Sequence, residues 1–155
     1  MSKATTVLQT GSQLTVNYDR TKIFLGGNRY KTGAFKNTGT ASVTLPAGTL
    51  MAKVTAIAVD TANVVGYLRK YQSANIEGGA IPVGILAEDI TVAAGATLDN
   101  ASYCIAGDFD YDALVLDGTD TLATIVNGKA TREQIIAETQ LIGVSVDQIS
   151  AYDNQ

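Results

Sequence analysis

The sequence predicts an α+β fold in which strands dominate: a compact body with one or two short helices behind an extended amino-terminal arm. Short apolar runs bounded by Gly, Pro and Asn recur along the chain, as strands and turns require. One segment, Thr131-Arg132-Glu133-Gln134 followed by Ile135, Ile136 and Leu141, carries a helix signature. The 155 residues are the size of a single domain with room for an appendage.

From the amino end, residues 1–13 are polar and show no sustained period. Residues 14–44 hold short strand-like pieces: LTVNY (14–18), TKIFL (21–25), then a Gly26-Gly27-Asn28 turn, then RYKTGAFKN and ASVTL. A few short strands bury too little to stand alone, so 1–44 reads as an arm and 45–155 as the body. In the body, Pro46-Ala47-Gly48 is a turn and a strand starts at Thr49. VVGYLRKYQ (64–72) supplies the next strand, SANIEGG (73–79) a loop, and IPVGILAEDITV, YCIAGDFDY and IGVSV further strands. Thr131-Arg132-Glu133-Gln134 fits a capping box and Gly143 the C′ stop of that helix. Asp112-Ala113-Leu114-Val115 opens a second short helix or a turn.

Composition narrows function by exclusion. There is no His, so neither a Ser-His-Asp or Cys-His catalytic site nor a His-ligated zinc site can be assembled from this chain. A lone Cys104 rules out an internal disulfide and fits a reducing compartment. No secretory h-region opens the chain, and no apolar run nears the roughly 18 residues of a membrane span, so a protein made in a cytoplasm is expected. Charged residues make up 17% of the chain, against about 25% in typical domains, so some surface should be hidden against a partner unless Gly, Ala, Ser, Thr and Asn cover it.

Charge is also unevenly placed. Residues 1–53 carry seven cations and one acid, a balance of +6; residues 54–155 carry four cations and fourteen acids, a balance of −10. Aromatic residues interleave with the amino-terminal cations, which favours a partner-seeking segment over a solubility tail. Arg20, Lys22, Phe24, Arg29, Tyr30, Lys31 and Lys36 are the candidate contact residues.

Two acidic groups need weighing. Asp108, Asp110 and Asp112 have the spacing that opens a calcium loop, but Ala113 and Thr119 stand where that loop needs Gly and Glu. Period-two spacing on one side of a half-buried strand is the better fit; an irregular oxygen-rich site is the alternative. Glu88 and Asp89 are adjacent, and neighbours on a strand point to opposite faces, so their carboxylates do not converge as a catalytic pair. They read as a polar bend where a strand leaves the core and resumes.

In order, AGTLMAKVTA (47–56), GYLRKYQ (66–72), AIPVGILAEDITVAAGAT (80–97), YCIAGDFDYDALVLDG (103–118) and a short helix running into LIGVSV form a pattern. That pattern resembles the head decoration proteins of lambda-type tailed bacteriophages. The signature positions are Gly48 and Thr49, then Gly84, Ile85, Leu86, Glu88 and Asp89, then Asp112 and Leu114, and finally Gly143. Ala52 stands where the family often has Gly, and the amino-terminal arm is longer than the usual leader. The resemblance covers roughly residues 45–146.

It implies a non-enzymatic capsid-cementing protein without cofactor or metal. Such a protein assembles in the host cytoplasm and binds the outside of the mature head as a homotrimer. Its arm adds a strand to the major capsid protein and holds the shell against packaged DNA. No membrane or direct nucleic-acid contact is implied. The alternatives are a base for a head fibre or other virion appendage, and a nucleic-acid binder working through the basic arm.

Overall fold

The structure, a computed structural model, describes residues 8–10, 13–15 and 23–145. At the amino end β1 (Leu8–Thr10) and β2 (Gln13–Thr15) form a small antiparallel pair. The principal feature is a long antiparallel ribbon of β3 (Phe24–Lys36) against β9 (Thr97–Asp110), whose pairs run from Phe24↔Phe109 to Lys36↔Thr97.

Four register shifts interrupt this ribbon. The Gly26-Gly27-Asn28 segment, expected as a turn, is one of those irregular stretches inside a continuous strand. Gly27 takes a positive φ of 63° there, and the Asn28 side-chain amide donates to the Asp108 carbonyl at 3.0 Å. The amide thus bridges the strands where the backbone ladder is broken.

Between these strands come β4 (Val43–Leu45), β5 (Leu50–Lys53), β6 (Leu68–Lys70), β7 (Pro82–Leu86) and β8 (Ile90–Val92). Strands β3, β6, β5, β7 and β9 pair in that order, and β9 pairs in turn with β3, which closes a five-stranded barrel. Strands β4 and β8 form a separate antiparallel pair, where the Thr44 and Thr91 hydroxyls lie 2.9 Å apart. After the barrel, β10 (Ile125–Val126) and β11 (Lys129–Ala130) make a short hairpin into α1 (Thr131–Glu138). The chain then turns into β12 (Gln140–Val144), which adds parallel to β9.

Alternation along β5, β7 and β9 sends side chains to two apolar clusters. Met51, Leu86 and Tyr103 join Phe35, Leu68 and Ile90 in one; Leu50, Ala52, Ile85 and Cys104 join Tyr71, Phe109, Ile135 and Leu141 in the other. The second cluster is where α1 docks. Gly84 permits the β7–β9 closure, because a Cβ there would stand 2.5 Å from the Cys104 carbonyl oxygen.

Three sequence expectations need correction. The boundary between arm and body does not fall at residue 45, because β3 is a barrel strand and Phe35 is buried in the first cluster. Strand pieces that cannot stand alone become stable once a long partner such as β9 is available, and that partner is remote in sequence. The helix cap is Ala130 rather than Thr131: Glu133 accepts the Ala130 N–H at 3.1 Å, while the Thr131 hydroxyl donates to the Thr124 carbonyl at 3.2 Å. Gly143 is not a helix stop, since α1 ends at Glu138 and Thr139 is already extended. It lies in β12, where the missing side chain leaves room for the Tyr111 ring.

Candidate interaction site

Glu88 and Asp89 fall between β7 and β8, both exposed, at a bend. Asp89 accepts the Ala47 N–H at 2.7 Å, so its carboxylate ties two turns together. Asp112 lies in a 3-10 turn (Tyr111–Ala113) that follows β9, and its N–H donates to the Asp110 carboxylate at 2.9 Å. Asp110 is buried and Asp112 exposed, so the three period-two acids do not line one face of a single strand. No group of three or more acids or cysteines able to hold a metal converges among the described residues.

Several of the scattered signature residues meet at one corner of the barrel. The Gly48 N–H donates to the Leu86 carbonyl at 2.8 Å and the Leu86 N–H returns to Thr49 at 2.9 Å. The Val115 N–H donates to Gly48 at 2.9 Å and the Leu50 N–H to Val115 at 3.0 Å. A Cβ on Gly48, which has a φ of 91°, would stand 2.6 Å from the Ala113 carbonyl oxygen. Leu114 packs against the second apolar cluster, as does Tyr111, whose ring covers Gly143 and receives the Arg132 guanidinium at 4.7 Å from its centroid. Segments 47–50, 84–89 and 111–115 are thus hydrogen-bonded or packed into one unit.

The candidate contact residues separate. Arg20 and Lys22 lie outside the described residues. Arg29 and Lys31, two apart on β3, line an open groove of about 640 Å³ together with Lys53 from β5. Tyr103 and Ile105 form apolar wall, and Glu138 is the acid present in the lining. The Arg29 guanidinium bonds the neutral Gln140 side chain. Lys36 lines a different, smaller cavity, with Arg69 and Lys70. Phe24 and Tyr30 form an edge-to-face pair at 5.6 Å, with Tyr30 half exposed.

Two cations outside the groove are neutralised, while among the described residues Lys36, Lys129 and Arg132 form no ion pair. Arg69 meets Glu77 at 3.4 Å and Lys70 meets Asp117 at 2.6 Å; among the described residues Arg29, Lys31 and Lys53 have no such ion pair. Bonds from Lys70 and Gln72 hold the Asp117 carboxyl below the usual carboxylate range. Lys53 escapes a reading of the amino-terminal segment alone, because β5 brings it to the groove; the signal that could have found it is that it too carries unbalanced positive charge.

A second surface is apolar. Ile57, Val59, Val64, Val65, Ile76 and Ile81 are exposed on loops 54–66 and 73–81. Glu77 joins those loops: its carboxylate accepts the N–H groups of Val59 and Asp60 at 2.5 and 3.1 Å, and the Thr55 N–H donates to its carbonyl at 2.8 Å. Asp60, the other acid of these loops, accepts from the Thr38 hydroxyl at 2.9 Å.

No family model matches the chain, and no curated protein matches it either.

Proposed function

We propose that the protein is a capsid decoration protein that binds the outer surface of an icosahedral phage head as a trimer. The observation that carries this reading is the corner just described. Motifs far apart in sequence, each weak alone, mesh in space through Gly48, Thr49, Leu86, Asp89 and Val115. A motif set that builds one structural unit is expected to mesh in this way.

Two further observations support it. The exposed aliphatic loops offer a surface to be covered on self-association. The basic segment offers cations to an acidic shell. In this reading the major capsid protein is the partner, and residues amino-terminal to β3 supply the added strand. Weak individual contacts suffice, since many copies tie the same shell subunits together.

The test is co-sedimentation with expanded, DNA-free shells of the source virus, with duplex and single-stranded DNA run in parallel. Saturable shell binding is expected. Absence of shell binding, with DNA binding that falls steeply in salt, would promote the nucleic-acid alternative: each phosphate contact contributes nearly one power of salt concentration.

A further inference from the structure

We propose that the open edge of β3 receives an extended segment of a partner protein as an added strand, one in which acidic and apolar residues alternate. One edge of β3 is paired with β9 along its length. The other meets β6 only at Phe35↔Leu68, so among the described residues no strand lies beside it from Phe24 to Ala34. Such an edge presents a row of backbone donors and acceptors to any extended chain. Gly26, Gly27, Arg29, Tyr30, Lys31 and Thr32 are all exposed, and no Cβ covers the backbone at Gly26 or Gly27.

The side chains state what that chain must be. Arg29 and Lys31 share a face by period two, next to where an added strand would lie, and neither has an ion pair among the described residues; the Arg29 guanidinium bonds the neutral Gln140 side chain of β12. An added strand that points every second residue to this side gains most when those residues are Asp or Glu. Tyr30, between the two cations, projects from the opposite face, half exposed and braced edge-on by Phe24. The intervening residues of an added strand therefore meet an aromatic ring, and apolar side chains suit it.

Charges on an edge strand also have a protective role, since they oppose pairing between copies. The two roles agree: like charge rejects the same edge of a second molecule and admits an acidic strand. Edge and cations serve any partner with that pattern, so the inference does not depend on the capsid reading.

The test uses the full chain and a capped eight-residue peptide alternating Glu and Val, followed by amide NMR. Its counterparts alternate Lys and Val, or carry N-methyl groups on every second residue of the Glu peptide in either register. The Glu peptide should shift the amides of residues 24–34 and the Lys peptide should not. One methylated register should fail to bind, because its donors toward β3 are gone. The double variant Arg29→Glu, Lys31→Glu, at two exposed positions, should weaken binding about tenfold or more. The proposal is overturned if the Glu peptide leaves these amides unmoved, if both methylated peptides bind as well as the parent, or if a single-stranded oligonucleotide shifts the same amides at lower concentration than the peptide.

Discussion

Glu77 holds two loops with one carboxylate. It is 2% exposed, accepts the Val59 and Asp60 N–H groups and faces Arg69. The Val59 N–H first, then the Asp60 N–H and Arg69, hold its pKa below the ordinary 4.5, although burial opposes them. A carboxylate depressed in the folded state contributes stability that is present above its unfolded value. That stability is lost as pH falls through the folded one. The urea midpoint should therefore decline as pH drops below about 4.5, and Glu77→Gln should make that decline shallower. Asp117, also depressed, contributes in the same acid window, so the slope shrinks without vanishing. A variant as acid-sensitive as the parent would refute this role. Nothing in SANIEGG marks Glu77 as buried, because its partners Val59, Asp60 and Arg69 come from other segments. Gly84 is the converse case: it stands out in the sequence as a signature position, but its reason, the Cys104 carbonyl against it, requires the closed barrel.

At the scale of elements, local signals succeeded where local physics decides. The Pro46-Ala47-Gly48 turn, the strand from 49, the break at Glu88 and Asp89 and the helix near 131 all follow from backbone chemistry within a few residues. They failed where a remote partner overrides them. Gly26-Gly27-Asn28 has strong turn character, yet β9 holds it within a strand and Asn28 bonds Asp108 across the gap. Arg29 and Lys31 were legible as contact candidates from the cations and aromatics that interleave near the amino end; the groove was not, since Lys53 and Gln140 arrive from β5 and β12. These differences change the deletion to make. Removing residues 1–22 leaves every barrel strand, and the product should keep near-UV circular dichroism and cooperative urea unfolding. Removing 1–44 deletes β3, strips β9 of its full-length neighbour and opens the barrel, so that product should lose both. If the shorter deletion collapsed as well, residues 1–22 would belong to the folded body; if the longer one folded, the boundary at 45 would be restored.

At the scale of the molecule, the sparse charge has an address. Ile57, Val59, Val64, Val65, Ile76 and Ile81 stand on two loops that Glu77 and Arg69 fix from beneath, so the surface is presented by a rigid base. In the proposed trimer this is the surface with most to gain from contact, because Val59 and Ile76 are 74% and 79% exposed in the single chain. Covering two such side chains contributes roughly 2–4 kcal/mol per contact, roughly thirtyfold to several hundredfold in dissociation constant. The double variant Val59→Asp, Ile76→Asp should sediment as a monomer at concentrations where the parent is associated. Its urea midpoint per folded chain, measured below the association range, should be unchanged, since neither side chain belongs to an apolar cluster of the core. A parent that sediments as a monomer at every concentration would remove self-association in solution from the account, leaving the loops to be covered only on a shell. An associated variant with unchanged affinity would place the contact on another face. The two results separate the loops from the β3 edge, whose cations discourage self-pairing and whose occupant, unlike a second copy, must bring acidic side chains.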